Sequence, residues 1–206
     1  MLSQSVASAL REAISAGEFQ PGERLSEVKA AERFNCSRNT LRESFTRLAA
    51  ERIVERIPNR GVFLAMPDAD YIRDLFAARA AIEPAAVRWG AFADAPSLVT
   101  LTSSAFDYAA RGEHQEVSAI NQRFHRTLVA ALGSPTLNEQ MDNLLARMRL
   151  TFLLAIPRYP QLHADHIQGN ITLATLIADG KRDEAATLAH DSLMNTCCLL
   201  YTSDAA

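Results

Sequence analysis

The hydrophobic residues of this chain recur at intervals of three and four positions, which is the spacing of the buried face of an α-helix. This spacing predicts a first helix over residues 3–16, whose apolar positions are Val6, Leu10 and Ile14. Gly17 and the turn sequence Pro21-Gly22 end this helix, because glycine and proline interrupt helical geometry. The chain therefore begins with an amphipathic helix and a turn.

Two further helices follow, and only about three residues separate them. Ser26 is a typical N-cap residue and predicts a short helix that reaches about Phe34. Ser37 is the N-cap of a longer helix that runs to about Glu51. Two helices with so short a connection form a helix-turn-helix.

The hydrophobic period changes between residues 53 and 64. Two β-rich runs, at 53–57 and 62–64, flank the turn Pro58-Asn59-Arg60-Gly61, and this pattern predicts a β-hairpin. A helix-turn-helix followed by a hairpin is a winged helix-turn-helix. We therefore predict a domain of that kind over residues 1–66.

Beyond Pro67 the pattern is helical throughout. The predicted helices cover residues 68–90, 96–111, 114–132, 135–156, 160–179 and 181–200. Short connections between them predict an antiparallel bundle, so the fold class is mainly α, with an all-helical domain over residues 67–197. The final residues CLLYTSDAA, at 198–206, resemble translated sequencing-adapter sequence, and we expect them to be a non-native tail.

The composition narrows the class of protein. The 206 residues are 48% hydrophobic and 22% charged, which excludes disordered and collagen-like chains. No apolar run reaches the ~18 residues of a membrane helix, and three cysteines cannot build a disulfide framework, so we expect a cytoplasmic protein. Residues 1–66 carry a net charge of +2 and residues 67–206 one of −5, so the first domain is better suited to an anionic partner.

The start of the second helix of the helix-turn-helix carries side chains suited to DNA. A recognition helix lies in the major groove and presents donors near its N-terminus to bases and phosphates. The outward positions here are Arg38, Asn39, Thr40 and Arg42. The backbone amides at Ser37 are expected to bind a phosphate, and Arg60 with Gly61 at the hairpin tip to enter the minor groove.

Residues 10–65 resemble the DNA-binding domain of GntR-family transcriptional regulators. The most specific segments are PGERL, SRNTLRE and ERIPNRGVF. The resemblance implies that Arg38 and Arg42 contact DNA, together with the wing tip from Asn59 to Gly61. Val28 stands where the family commonly has an arginine, and Lys29, one position later, is the alternative contact.

Histidines in the helical region suggest a metal site. Asn121 and His125 are one helical turn apart on a predicted inward face, and His166 and His190 lie on two other helices. Three inward imidazoles on three helices suit a divalent metal. Taken singly, each histidine is better explained as a hydrogen-bonded core or surface residue, whereas taken together the set leaves both interpretations open.

Residues 70–197 are similar to the FCD ligand-binding domain of the FadR-type GntR subfamily. The segments that carry the similarity are LFAARAAIEPAAVRWGA, NQRFHRTLVAALGSPTL and DHIQGNITLATLIADGKRDEAATLAHDSL. The resemblance implies an all-α bundle that binds a metal through Asn121, His125, His166 and His190. Zinc is the expected metal, with nickel and manganese as alternatives, and the neutral Asn121 should weaken the site relative to aspartate. His163 is an alternative ligand or an exposed loop residue.

A metal with open coordination positions can bind a small carboxylate, and a cationic side chain would balance the charge of that carboxylate. Arg79 resembles the family's effector-binding arginine, and Arg147 or Arg149 would be a second such residue. The alternative for Arg79 is an ion pair with Glu83, one helical turn away.

These observations predict a regulator that binds operator DNA as a homodimer and senses a small organic acid through a bound metal. A dimer is expected because one head makes few contacts, whereas paired heads read a palindrome. The alternatives are a metal sensor without an organic effector and a metalloenzyme with a nucleic-acid-binding domain. The sequence contains no HExxH motif, nucleophile elbow or glycine-rich phosphate loop, so we do not expect an enzyme.

Overall fold

The computed structural model describes residues 3–203, and it describes their side chains apart from those of His163 and residues 201–203. The chain divides into two compact units. The first contains the residues up to Pro67 together with Leu145–Leu154, and the second contains Asp68–Leu144 together with the residues from Ala155 onward.

The first unit contains the predicted winged helix-turn-helix. Its elements are α1 (Ser3–Ser15), β1 (Arg24–Leu25), α2 (Glu27–Arg33), α3 (Arg38–Ala50), β2 (Val54–Ile57) and β3 (Gly61–Leu64). Both predicted N-caps are confirmed, because the side chain of Ser26 accepts a hydrogen bond from the Lys29 amide and that of Ser37 accepts one from the Thr40 amide.

The hairpin gains a third strand that the sequence pattern did not predict. β1 pairs antiparallel with β3, so the order of strands in the sheet is β1-β3-β2. Arg24 lies opposite Phe63 across this pairing. A strand of two residues is too short to produce an alternating pattern, so the sequence predicts only a turn in this segment.

The core of the first unit forms between α1, α3 and the sheet. Its fully buried side chains are Val6, Leu10, Ile14, Leu41, Phe45, Leu48 and Ile53. Arg11 of α1 forms an ion pair with Glu51 after α3, with 2.7 Å between Nη2 and Oε2. The Ser44 hydroxyl donates a hydrogen bond of 2.8 Å to the Ser3 carbonyl oxygen. These contacts hold the core-facing side of α3 in place and leave its opposite side exposed to solvent.

The second unit is helical, as predicted. The helices of this part of the chain are α4 (Ala69–Trp89), α5 (Ala95–Ala110), α6 (His114–Ala130), α7 (Pro135–Ala155), α8 (Leu162–Ala178) and α9 (Arg182–Ser203). The C-terminal half of α7, Leu145–Leu154, belongs to the first unit. Helix α4 packs against α9, and α5 packs against α6 and α8. None of the helices within residues 3–203 is long and apolar enough to cross a membrane.

Helix α9 continues into the segment interpreted as a tail. It runs to Ser203, and Leu200 within that segment is buried, whereas Cys198 and Leu199 are exposed. The remainder of the predicted tail, residues 204–206, lies outside the described residues.

Candidate nucleic-acid interface and ligand site

The N-terminus of α3 is organised by two hydroxyl side chains. The Ser37 Oγ accepts the Thr40 amide at 3.1 Å and lies 2.8 Å from the Thr40 hydroxyl. This cap leaves Arg38 and Asn39 exposed on the first turn. Arg42, on the next turn, is exposed as well, whereas Thr40 is half-buried, so three of the four donors predicted at this helix start are exposed.

Arg42 is held by an acidic neighbour on α2. Its Nη2 lies 3.0 Å from Glu27 Oε2, and its Nε donates to both oxygens of the same carboxylate, at 3.1 and 3.2 Å. This contact orients the guanidinium without burying it, because the side chain remains 55% exposed. The sequence does not predict Glu27 as part of this surface, because a contact between side chains of two different helices leaves no pattern in the spacing along the chain.

The tip of the wing is a tight turn with two arginines beside it. Asn59 and Gly61 have φ values of +60° and +114°, the left-handed region in which glycine is favoured. The Arg60 guanidinium lies over the Phe63 ring at 5.6 Å. The Arg24 side chain comes so close to the Gly61 backbone that a Cβ there would lie 3.4 Å from its Nε. The short strand β1 thus adds a cation to the wing tip that sequence reasoning missed.

Val28 and Lys29 occupy different surroundings. Val28 is 46% exposed and lines an open concave surface of about 660 Å³ that also contains Ser37 and Arg38. Lys29 is exposed but is not part of that lining. Val28, which stands where the family commonly has an arginine, therefore lies on the surface next to the recognition helix α3.

A buried trio of Arg79, Glu83 and His125 connects two helices of the second unit. Arg79 and Glu83 of α4 are 2% and 1% exposed, and the Arg79 Nε donates to Glu83 Oε1 at 2.6 Å. The other oxygen, Oε2, lies 2.7 Å from Nδ1 of His125 on α6. The contact between Arg79 and Glu83 is the one expected from their spacing, but it is in the interior rather than on the surface.

The protonation states of this trio follow from burial and charge. Burial by itself raises the pKa of Glu83, but the charges of Arg79 and His125 outweigh it and lower the pKa to about 2. Burial lowers the pKa of His125, against the opposing effect of Glu83. We therefore assign a neutral imidazole whose Nδ1–H donates to an ionised carboxylate.

Asn121 is paired with a residue that the sequence did not single out. The Asn170 Nδ2 on α8 donates to Asn121 Oδ1 on α6 at 2.7 Å. The pair lies at the edge of a small cavity of about 10 Å³, roughly the space of one water molecule, between α5, α6 and α8. Its walls are mostly apolar and include Val117, Ile120 and Phe124.

His166 also lines this cavity, and both of its ring nitrogens contact protein oxygens. Nδ1 lies 2.5 Å from the Leu162 carbonyl oxygen, and Nε2 lies 3.0 Å from the Thr196 hydroxyl. Burial lowers the pKa of His166, against the raising effect of its hydrogen bond to the Leu162 carbonyl oxygen.

The inward orientation expected for His190 is not found. Its side chain is 52% exposed and its Nδ1 lies 3.0 Å from Asp191 Oδ1. The buried positions of α9 at this level are Ala189 and Leu193, and a residue next to Ala189 is rotated by about 100° from the inward face. His190 therefore lies outside the set that contains Asn121, His125 and His166.

The residues in place do not fit a divalent metal ion. Within the described part of the chain no group of three or more His, Cys, Asp or Glu side chains is arranged to hold a metal. Glu83 does orient His125 as a carboxylate orients a metal-binding imidazole. However, Asn121 Oδ1 already accepts an amide, His166 already contacts two oxygens, and His190 points outward.

Arg147 and Arg149 are buried in the part of α7 that belongs to the first unit. The Arg149 guanidinium lies directly against Gly17, where a Cβ would collide with it and where φ is +81°. Burial lowers the pKa of Arg149. Neither arginine is among the residues that line the cavity between α5, α6 and α8.

A winged helix-turn-helix with an exposed, cationic recognition helix, followed by an all-helical domain, is the architecture of a DNA-binding transcriptional regulator. Family models match both parts of the chain. The model for the bacterial regulatory proteins of the gntR family matches residues 2–64, and the FCD domain model matches residues 74–194. The protein belongs to the GntR family of bacterial transcriptional regulators and carries an FCD domain, so the resemblance inferred from its motifs is confirmed.

Individual relatives agree with this assignment. The Nta operon transcriptional regulator of Aminobacter aminovorans is 29% identical over 177 residues, which cover 84% of this chain and 82% of the relative. The galactonate operon transcriptional repressor of Escherichia coli K12 is 28% identical, with coverage of 66% and 69%. A solved structure of a GntR regulator from Rhodococcus sp. RHA1 superposes with a TM-score of 0.81 and is 28% identical, with 96% of both chains covered.

Proposed function

We propose that this regulator binds operator DNA as a homodimer and that a small organic acid, bound in its FCD domain, changes its affinity for the operator. The observation that carries the proposal is the capped start of α3, which presents Arg38, Asn39 and Arg42 on one exposed surface. In a winged helix-turn-helix such a surface enters the major groove.

The DNA contacts divide into two groups. Arg38 and Asn39, with Thr40 beside them, have the donors and acceptors that read base edges, while the amides at Ser37 suit a phosphate. At the wing, the tip residues Asn59, Arg60 and Gly61, joined by Arg24, suit the minor groove and its phosphates. Contacts of the second group set position and affinity more than sequence preference.

The homodimer is proposed because a single head of this size offers few base contacts. Specific affinities of regulators come from two symmetry-related heads whose half-sites lie about one helical turn apart. The operator is accordingly expected to be an inverted repeat.

The organic acid is proposed from the charge in the FCD domain. Arg79 is a buried cation whose present partner is the Glu83 carboxylate, and a ligand carboxylate is chemically equivalent to that partner. An acid would therefore exchange with Glu83 at the guanidinium and would free the contact between Glu83 and His125 to rearrange. A relative is a repressor of a galactonate operon, and galactonate is an organic acid. Coupling of about 1–3 kcal/mol between the two sites would change operator affinity about 5- to 150-fold.

The DNA-binding part is tested by a mobility-shift titration on the DNA upstream of the regulator's own gene, at one fixed salt concentration. We expect Arg38→Ala to weaken binding by about 5- to 150-fold, since a good base contact contributes about 1–3 kcal/mol. Arg88→Ala is the matched control, because Arg88 is an equally exposed arginine that pairs with Asp183 in the second unit. Equal affinity of Arg38→Ala and Arg88→Ala would exclude Arg38 as a DNA contact.

A further inference from the structure

We propose that the FCD domain of this protein works without a bound metal ion, and that the carboxamide pair of Asn121 and Asn170 occupies the place at which a metal would bind. This inference deepens the proposed function, since it concerns the site at which the organic acid acts. It departs from the metal-dependent site that the family resemblance implies.

The first reason is the hydrogen bond between the two carboxamides. Only the oxygen of an asparagine side chain ligates a metal, and Asn121 Oδ1 accepts from Asn170 Nδ2 at 2.7 Å. The donated N–H presents the positive end of its dipole to that oxygen. A cation at the same oxygen would face this positive charge and would have to displace the Asn170 side chain.

The second reason is the charge around His125. The imidazole is the best placed of the predicted ligands, but its partner Glu83 also forms an ion pair with Arg79, with 2.6 Å between Nε and Oε1. The Glu83 charge is therefore already paired with a buried guanidinium. A divalent ion next to His125 would be buried close to that guanidinium and would share one carboxylate with it, and such an arrangement is unfavourable.

The third reason is the supply of further ligands. His166 contacts the Leu162 carbonyl oxygen and the Thr196 hydroxyl through its two nitrogens, and His190 is on the outer face of α9. The cavity therefore has a polar edge of neutral hydrogen-bonding groups rather than a set of anionic or imidazole ligands. An organic acid that exchanges with Glu83 at Arg79 would therefore contact side chains directly rather than a metal ion.

The experiment measures metal content. The full-length protein, freed of any affinity tag, is dialysed separately against zinc, nickel and manganese and then analysed for bound metal. We expect no stoichiometric metal in the wild type. The double variant Asn121→Asp with Asn170→His replaces the carboxamide pair by a carboxylate and an imidazole beside His125, and we expect it to gain about one zinc ion per chain.

Several controls make the outcome decisive. The inference would be overturned if the wild type holds about one metal ion per chain that is lost in His125→Ala and kept in His190→Ala. Metal that persists in His125→Ala is bound elsewhere in the protein and is compatible with the inference. If His125→Ala does not fold, a lowered thermal midpoint of the wild type in EDTA overturns the inference equally. A double variant that gains no zinc would overturn the assignment of Asn121 and Asn170.

The inference about the metal and the proposed DNA-binding function are contradicted by different outcomes. Loss of operator binding by the untreated protein would contradict the DNA-binding proposal and would leave the metal content as it is. Operator binding that persists in EDTA supports the inference, and operator binding that EDTA abolishes and zinc restores would refute it while the regulator assignment stands.

Discussion

Glu83 Oε2 on α4 lies 2.7 Å from His125 Nδ1 on α6, inside the FCD domain. The same carboxylate accepts a hydrogen bond from Arg79 through its other oxygen. One side chain thus neutralises a buried guanidinium and fixes the orientation and tautomer of a buried imidazole. The stability of this domain therefore depends on that carboxylate.

Glu83→Gln is expected to destabilise the protein by about 3–5 kcal/mol, because it leaves the Arg79 charge buried without its anionic partner. The free energy of unfolding in urea measures this loss. Asp70→Asn is the control, since Asp70 forms an exposed ion pair with Arg73 on the same helix, and its removal should change stability little. Equal stabilities of the two variants would show that Glu83 is not a structural partner of Arg79.

Stability is expected to decrease on acidification. The pKa of Glu83 falls from its ordinary 4.5 to about 2 in the folded protein, so its contribution is complete above pH 4.5 and is lost as the pH falls towards 2. The pKa of His125 is also lowered, so protonation below its ordinary 6.5 favours the unfolded chain. The thermal midpoint measured from pH 7 downward should therefore decrease, and a midpoint that rises on acidification would contradict both assignments.

Arg24→Ala is expected to weaken binding to operator and to unrelated DNA by similar factors. Arg24 lies beside the Gly61 backbone at the wing tip and is suited to a phosphate. The slope of log affinity against log salt concentration should fall by about one relative to the wild type. The slope for Arg88→Ala should be that of the wild type, and an unchanged slope for Arg24→Ala would remove it from the interface.

Gly17→Ala is expected to destabilise the protein by about 1–3 kcal/mol, because φ is +81° there and a Cβ would collide with the Arg149 guanidinium. Gly112→Ala provides the matched comparison. Its φ is +73°, but a Cβ would meet no atom within 4 Å. Thermal unfolding of the two variants separates the cost of backbone strain from that of the contact, and equal midpoints would mean that Arg149 moves aside freely.

The parts of this molecule that were predictable from sequence are those encoded within one element. The apolar spacing of α1 and the serine caps of α2 and α3 repeat over a turn or more, so local pattern suffices for them. The contact of Arg79 with Glu83 followed in the same way from their four-residue spacing. Strand β1 was missed because two residues show no period.

The pairing of residues on different helices was not predictable. Asn170 on α8 contacts Asn121 on α6, 49 positions earlier in the chain, and no local spacing records that contact. His190 was expected to face inward because Leu188 and Leu193 flank it. The buried stripe of α9 passes instead through Ala189 and Leu193, and this difference in helical phase turns the imidazole towards solvent.

The most direct test of the central claim is the dissociation constant of the operator complex with and without an organic acid. A panel of small acids is first ranked by thermal shift of the full-length protein, and the acid with the largest shift is added to the mobility-shift titration at fixed salt. We expect this acid to change the operator Kd by about 5-fold or more, and Arg79→Lys to reduce the change. An operator Kd that stays the same with an acid that binds the protein would contradict the proposed regulation by an organic acid.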